Sequence, residues 1–521
     1  MSTRRARVAG AVKRGAQLAG LSADLVRARA GATDPAVRQR ILDRLGGLHG
    51  LPQKIGQVMS LGELDRDDSV EVGFSSLTES GAALPLATVQ AIVEEALGGS
   101  LDQHFAFFSP FGIAASIGQV HRATLHDGRS VAVKIQYPGI GDAVGLDLGA
   151  LEWLTLPFGG LGRGFDMAAY RQEIGSMLAG ELDYAHEATT LERVAPLATY
   201  VPRLEIPEVV RSHSNARVLT MTWLAGDAFP VTRAWSLTQR AQTLDTLVRF
   251  FLESVFDARL LHADPHAGNY RFRLESGRPR VGVIDFGCTK ALSPSFVDAL
   301  ARLFRLALAN DERPAEYLAC FVDLGFRAEL MEPMAARLPA FAGILLDPWK
   351  DSAPFDFDRW ELGPRMSEAL GEFRWNVRIA GPAEAIFVVR AWQGLVAYAR
   401  ALHAPVALRP LLETALGAYE RARTTVRTGS AALQPAVQAP LGSEFVKIRV
   451  TEHGNPKVTL TFPGRCADTL EELMPDDLRS RLAAEGTDLA AIVAASARRG
   501  HVPGLLFESH HNAQHVRVWL E

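Results

Sequence analysis

The chain has 521 residues, 48% of them hydrophobic and 22% charged, and 55 Lys and Arg against 59 Asp and Glu leave a formal net charge of −4. Length and apolar content on this scale build several packed domains and exclude a disordered or fibrous protein, while the near-neutral balance excludes a chain-wide nucleic-acid-binding surface. Three scattered cysteines, Cys288, Cys320 and Cys466, predict neither a disulfide framework nor a C-x-x-C zinc site, which fits a reducing, cytoplasmic setting.

In chain order, residues 1–50 read as a basic helical segment, with Arg4, Arg5, Arg7, Lys13, Arg14, Arg27, Arg29, Arg38 and Arg40 against Asp24 and Asp34. A solvated helix face is the plain reading; the alternative is a basic amphipathic helix in peripheral contact with an anionic membrane. Ala, Gly and Arg interrupt any secretory apolar stretch. No run reaches the roughly 18 apolar residues of a membrane span, since Leu151–Gly162 comes nearest and contains Glu152 and Pro157. No transmembrane helix is expected. Ile41, Leu42, Leu45, Leu48 and Leu51 predict a helix with one apolar face.

Gly112–Ala123, the turn Asp127-Gly128 and Val131-Ala132-Val133-Lys134 predict strand, small-residue loop, strand, turn and strand, with Lys134 on the third strand. Leu244–Leu260 predicts a helix leading into His262-Ala263-Asp264-Pro265-His266-Ala267-Gly268-Asn269. Arg271–Leu274 and Arg280–Ile284 predict a hairpin that ends in Asp285-Phe286-Gly287. Phe387–Trp392 and the apolar pattern up to Leu402 read as a helix packing a larger lobe. Ser430–Pro440 has the composition of a linker.

Residues 443–521 read as a separate α+β unit. Its predicted elements are strands Phe445–Val450 and Lys457–Phe462 joined through His453-Gly454-Asn455-Pro456, helices Asp476–Glu485 and Asp488–Arg499, and a closing strand His515–Leu520. His501, His510, His511 and His515 fall near its end without the spacing that marks a metal site.

The chemistry concentrates in the middle. Asp264 can orient or deprotonate an acceptor hydroxyl, and the Asn269 amide with the Asp285 carboxylate can hold Mg²⁺ on phosphates. The spacing of His262, Asp264 and Asn269 equals that of the kinase catalytic loop H-R-D-x-x-x-x-N, and D-F-G follows in its proper order. Lys134 suits the lysine that neutralises the α- and β-phosphates of a nucleotide. Ala114, Ala115 and Ser116 stand where a glycine-rich loop would cover those phosphates, so side chains replace the free backbone approach that glycine allows. Cys288 reads as a small buried side chain.

Four stretches resemble the AarF/UbiB/ADCK family of atypical protein-kinase-like proteins over about residues 51–420. They are Lys54-Ile55-Gly56-Gln57 (K-x-G-Q), Ala114-Ala115-Ser116 before Ile117-Gly118-Gln119-Val120-His121, Glu181-Leu182-Asp183 (E-x-D), and His262–Asn269 with Asp285-Phe286-Gly287. The resemblance implies that Lys54 and Gln57 lie on a helix folded over the nucleotide site, where they would disfavour a protein substrate. It implies that Glu181 and Asp183 lie on the facing helix with Glu181 paired to Lys54, and that Glu187, on that same helix, pairs with Lys134. It also implies a link to coenzyme Q or related isoprenoid-lipid metabolism, ATPase-type activity and action near a membrane. The chain departs from the family at Glu187-Ala188-Thr189-Thr190 for Glu-Ala-x-Asn, at Thr222 for an acidic hinge residue, at Ile113, and at Ala267 for a common proline.

The expected fold is therefore α+β, a bilobal protein-kinase-like fold with an N-terminal helical extension. Residues 51–429 form the kinase-like domain (N-lobe about 51–225, C-lobe about 226–429), 430–442 the linker and 443–521 the accessory domain. The expected function is Mg²⁺-dependent binding of ATP/ADP with hydrolysis or phosphoryl transfer, supporting quinone or other lipid metabolism. Lys134, Glu187 and Asp264 carry it, Ala114, Ala115, Ser116, Lys134, Asn269 and Asp285 hold nucleotide and metal, and Lys54, Gln57, Glu181 and Asp183 regulate. The alternatives are a nucleotide-gated regulatory module and a small-molecule phosphotransferase. The expected partners are a nucleotide, a lipid or quinone-like molecule and a membrane surface met by the basic N-terminus, with no nucleic acid.

Overall fold

The computed structural model describes residues 84–115, 117–141, 175, 180–424, 443–452, 455–470, 474, 479, 482–483, 487–511 and 514–521. Lys54, Gln57, Ser116 and most of 476–485 lie outside them. The described residues fall into two compact units, one holding those up to Ala291 together with Phe387–Ala404, the other holding Leu292–Ile386 and those from Pro405 on.

The first unit begins with helix α1 (Leu86–Leu97) and a four-stranded antiparallel sheet in the order β1 (Phe105–Ala114), β2 (Gly118–Leu125), β3 (Ser130–Gln136), β5 (Val218–Thr222). Strand periodicity decides which way Lys134 faces. Val131, Val133 and Ile135 of β3 pack with Val89, Ile92 and Val93 of α1 in one core, so Lys134 turns to the opposite face, beside Leu219 of β5 and helix α2 (Tyr184–Val194). Gly118 opens β2 where nothing larger fits, because a Cβ there would stand 2.1 Å from the Ile135 carbonyl oxygen. Within the sheet the buried His121 accepts from Gln119 through Nε2 and donates through Nδ1 to the Ser109 carbonyl.

Helix α3 (Leu237–Phe256) starts with a capping box in which Ser236 and Gln239 satisfy each other's backbone N–H. The sequence predicts this helix seven residues late and extends it over Leu260, which instead opens the three-residue strand β6 (Leu260–His262). β6 pairs with β9 (Thr289–Ala291). Between them β7 (Tyr270–Glu275) and β8 (Arg278–Val283) form the expected hairpin, and β8 adds the two-residue strand β4 (Leu204–Glu205) in parallel. Helix α4 (Ala383–Leu402) contributes its length from Phe387 to this unit.

The second unit contains the helices Pro294–Leu308, Pro314–Asp323, Leu338–Leu345 and Leu408–Thr424, and an antiparallel sheet in the order β11 (Asn455–Pro463), β10 (Phe445–Glu452), β13 (Gln514–Leu520), β12 (Gly504–His511). Strand β12 is absent from the sequence reading, and Asn455 and Pro456 belong to a strand rather than to the turn. Buried Asn376 donates to the Leu330 and Thr461 carbonyls and so joins this sheet to the unit's helices.

The late histidines separate into two arrangements. His501 is tied to Ser496 and Asp468. Glu508, His510 and His515 bring one ligand atom each within 4.8 Å of one another. Yet the His510 and His515 rings stack 4.0 Å apart at 5°, so their in-plane lone pairs run parallel and do not converge on one ion. Among the described residues no helix is long and apolar enough to cross a membrane.

Candidate active site

The site is assembled entirely within the first unit. β3 presents Lys134, whose Nζ lies 2.7 and 2.9 Å from the two Glu187 carboxylate oxygens and 3.2 Å from Asp285 Oδ2. Lys134 and Glu187 are 5% and 1% exposed, while the Asp285 side chain keeps 34% of its surface exposed. Burial works against the Lys134 ammonium, but the Asp285 and Glu187 carboxylates outweigh it and hold its pKa above the ordinary lysine value. Burial pushes the Glu187 carboxyl up, against the pull of Lys134 and with the push of Asp285. One cation facing two carboxylates leaves this cluster a net negative charge.

Glu187 reaches Lys134 because Asp183 starts α2 in the right register, its Oδ1 accepting from the Ala185 and His186 backbone N–H groups. The expectation of one helix carrying Glu181, Asp183 and Glu187 is corrected here. Leu182 and Asp183 break the helix, and Asp183 is a cap outside it. Glu181 is buried beside the D-F-G turn, 3.3 Å from where a Cβ on Gly287 would be.

The turn itself is held from three sides. The Phe286 N–H donates to Glu187 Oε1, the Gly287 N–H to Asp285 Oδ1, and His262 Nε2 to the Asp285 carbonyl. Burial lowers the His262 pKa, so the imidazole is neutral and its single N–H is committed to that bond.

Opposite lies the loop after β6. Asn269 Nδ2 donates to Asp264 Oδ2 at 2.9 Å and to the Asp264 carbonyl at 3.2 Å. The amide's N–H bonds thus face Asp264, and its oxygen remains as an acceptor. The Ile284 N–H donates to the Asn269 carbonyl, which fastens this loop to the end of β8 and so to Asp285. The donor set suits a hard cation: an amide oxygen and a carboxylate, with no sulfur or imidazole.

The structure also brings in a residue the sequence reading passed over. Arg390 of α4, 7% exposed, donates from Nη2 to Asp264 Oδ1 at 2.7 Å. Its signal in the sequence was a lone charge in Phe387-Val388-Val389-Arg390-Ala391-Trp392, since a charge within a packed apolar helix needs a partner. Ala114 ends β1 and Ala115 follows it; the Ala115 N–H donates to the Gly118 carbonyl at 2.8 Å. That donor closes the hairpin and is not presented to a phosphate.

Residues 76–318 match the family model described as ABC1 atypical kinase-like domain. The chain is 28% identical to the mitochondrial atypical kinase COQ8B of Rattus norvegicus over 74% of this chain and 73% of that protein. It is 26% identical to the mitochondrial atypical kinase COQ8 of Saccharomyces cerevisiae over 66% and 69%. Among solved structures it is similar to Rv3197 of Mycobacterium tuberculosis in its erythromycin complex, at 26% identity and a TM-score of 0.49, over 74% of this chain and 97% of that one.

Proposed function

The chain belongs to the AarF/UbiB/ADCK family of atypical protein-kinase-like proteins, with the α+β kinase-like fold, and from that premise we propose that it binds ATP with Mg²⁺ and hydrolyses it or passes its γ-phosphoryl to a small or lipid-like acceptor. The observation that carries this reading is the convergence of Lys134, Glu187 and Asp285 beside Asp264 and Asn269. Asn269 and Asp285 would hold Mg²⁺, which supplies charge neutralisation on the phosphates. Lys134, oriented by Glu187, meets the α- and β-phosphates. Asp264 orients the attacking hydroxyl or water. Ala114, Ala115 and Ser116 cover the nucleotide with side chains and a closed turn, which shapes how deep it sits.

Lys54 and Gln57 regulate by covering the acceptor side, and buried Glu181 is the group that Lys54 would pair with. The COQ8 names of the relatives support a role in isoprenoid-quinone or other lipid metabolism. Peripheral membrane contact through the basic N-terminus, in a cytoplasmic setting, goes with that role.

The test is phosphate release from ATP by the full chain, with and without anionic vesicles, detergent or a phenol that mimics a quinone head group. Mg²⁺-dependent turnover stimulated by lipid or phenol, and lost in Asp264→Asn and Lys134→His, is expected. ATP binding with no release under every condition overturns catalysis and leaves a nucleotide-gated module.

A further inference from the structure

We infer that α4 is a built part of the active site: Arg390, Gly394 and Tyr398 form a brace on the catalytic loop, and Arg390 is the positioning residue for Asp264. The inference rests on the ATP-dependent reading only in giving Asp264 its role. The three residues are spaced four apart and so share one face of the helix.

Each of them meets the loop. Arg390 bonds Asp264 Oδ1, and the Tyr398 hydroxyl donates to the Pro265 carbonyl at 3.0 Å. Between them Gly394 lets the helix close in, since a Cβ there would stand 2.2 Å from Pro265 Cβ and Cγ. Below the loop, the Tyr398 ring packs edge-on against Tyr270 and Phe229. Burying a guanidinium in an apolar helix is unfavourable unless it is paired, and here the pairing falls on the carboxylate that faces the chemistry.

The consequence is geometric. Asp264 has one oxygen held by Arg390 and the other by Asn269. Bonds from two separate elements stop the carboxylate from rotating. Phosphoryl transfer gains most from such positioning, because little covalent work is left to the protein.

The experiment uses the full chain and the variants Arg390→Gln, Arg390→Met, Arg390→Lys and Gly394→Ala. It reads kcat and KM for ATP together with amide hydrogen exchange over residues 262–270. Arg390→Gln and Arg390→Met should lower kcat about 100-fold with KM for ATP nearly unchanged, the size expected for a misplaced catalytic group. Arg390→Lys, which keeps one charged donor, should recover about tenfold of that loss. Exchange in the loop should quicken in Arg390→Met and in Gly394→Ala. Wild-type turnover with kcat unaltered in the Gln and Met variants overturns the assignment. If the wild type shows no turnover, the ATP-dependent reading fails separately, and unchanged loop exchange in Arg390→Met and Gly394→Ala then overturns the brace.

Discussion

Two polar clusters in the first unit are joined through His262 and Asn269, yet they balance their charges in opposite ways. Lys134, Glu187 and Asp285 set one cation against two carboxylates, with two of the three side chains almost fully buried. Asp264, Asn269 and Arg390 set one cation against one carboxylate and complete it with a neutral amide. The first is short of positive charge, so a cation from outside improves it. The second already balances its own charges. On the proposed reading, the cluster that would grip phosphate is the one short of positive charge, and the carboxylate that would face the acceptor is already paired.

Removing the cation of the first cluster breaks this comparison most directly. Lys134→Met leaves Glu187 and Asp285 facing each other without a positive charge, and stranding a buried ionic partner costs about 3–5 kcal/mol. Urea unfolding should show that loss, and phosphate release should vanish with it. A loss below about 1 kcal/mol, the size of an exposed pair, would mean that the cluster is effectively solvated and its charge imbalance idle.

The matching change in the second cluster should be milder for stability and still severe for turnover. In Asp264→Asn the remaining side-chain oxygen can still accept from Arg390, but the new NH2 cannot accept from the Asn269 N–H, so unfolding should shift by about 1–3 kcal/mol, the cost of leaving a buried donor without its acceptor. Phosphate release should fall about 10²–10⁴-fold, the usual contribution of a positioned acid or base. Equal destabilisation by Lys134→Met and Asp264→Asn would erase the contrast between the clusters.

Two members of the first cluster were legible in the sequence because each sits in a local pattern. Lys134 ends a short apolar strand run after a turn, and Asp285 follows a hairpin. Glu187 is reached only through the resemblance. The second cluster was only two-thirds legible. Arg390 is far from Asp264 along the chain, and nothing local says which loop its helix will meet. Boundaries failed for physical reasons too. Ser236 and Gln239 announce the start of α3 as a capping box, a signal that apolar spacing alone passes over. The register shift between Leu505 and Phe507 spoils the alternation by which β12 would have been read. Asp183 was taken into a helix as a motif residue, although an aspartate just before a helical run is also the signature of a cap.

Acid offers a finer probe through two buried imidazoles of the first unit. Burial lowers the pKa of His121 in the sheet and of His262 beneath Asp285 from the ordinary 6.5. The unfolded chain therefore takes up these protons first as pH falls. Their contribution is complete above about pH 6.5 and is lost from there down towards the lowered folded values. Each group steepens the acid slope by at most about 1.4 kcal/mol per pH unit. Urea unfolding between pH 7.5 and 5.5 should show the decline, and His121→Gln should flatten it by its share. A stability that is level across that range would refute the neutral buried imidazoles.

The smallest effect separates geometry from charge at the edge of the first cluster. Asp183 is exposed and acts on α2 only through its cap, so Asp183→Ala should cost about 1 kcal/mol. Because Glu187 lies in the first turn of α2, fraying there would loosen the grip on Lys134 and raise KM for ATP while leaving kcat nearly level. Asp183→Asn caps as well as aspartate does but carries no charge, so it should restore both stability and KM. If Asn fails to restore them while Asp succeeds, the carboxylate acts as a charge on the nucleotide side, and the register of α2 is not what keeps Glu187 in place.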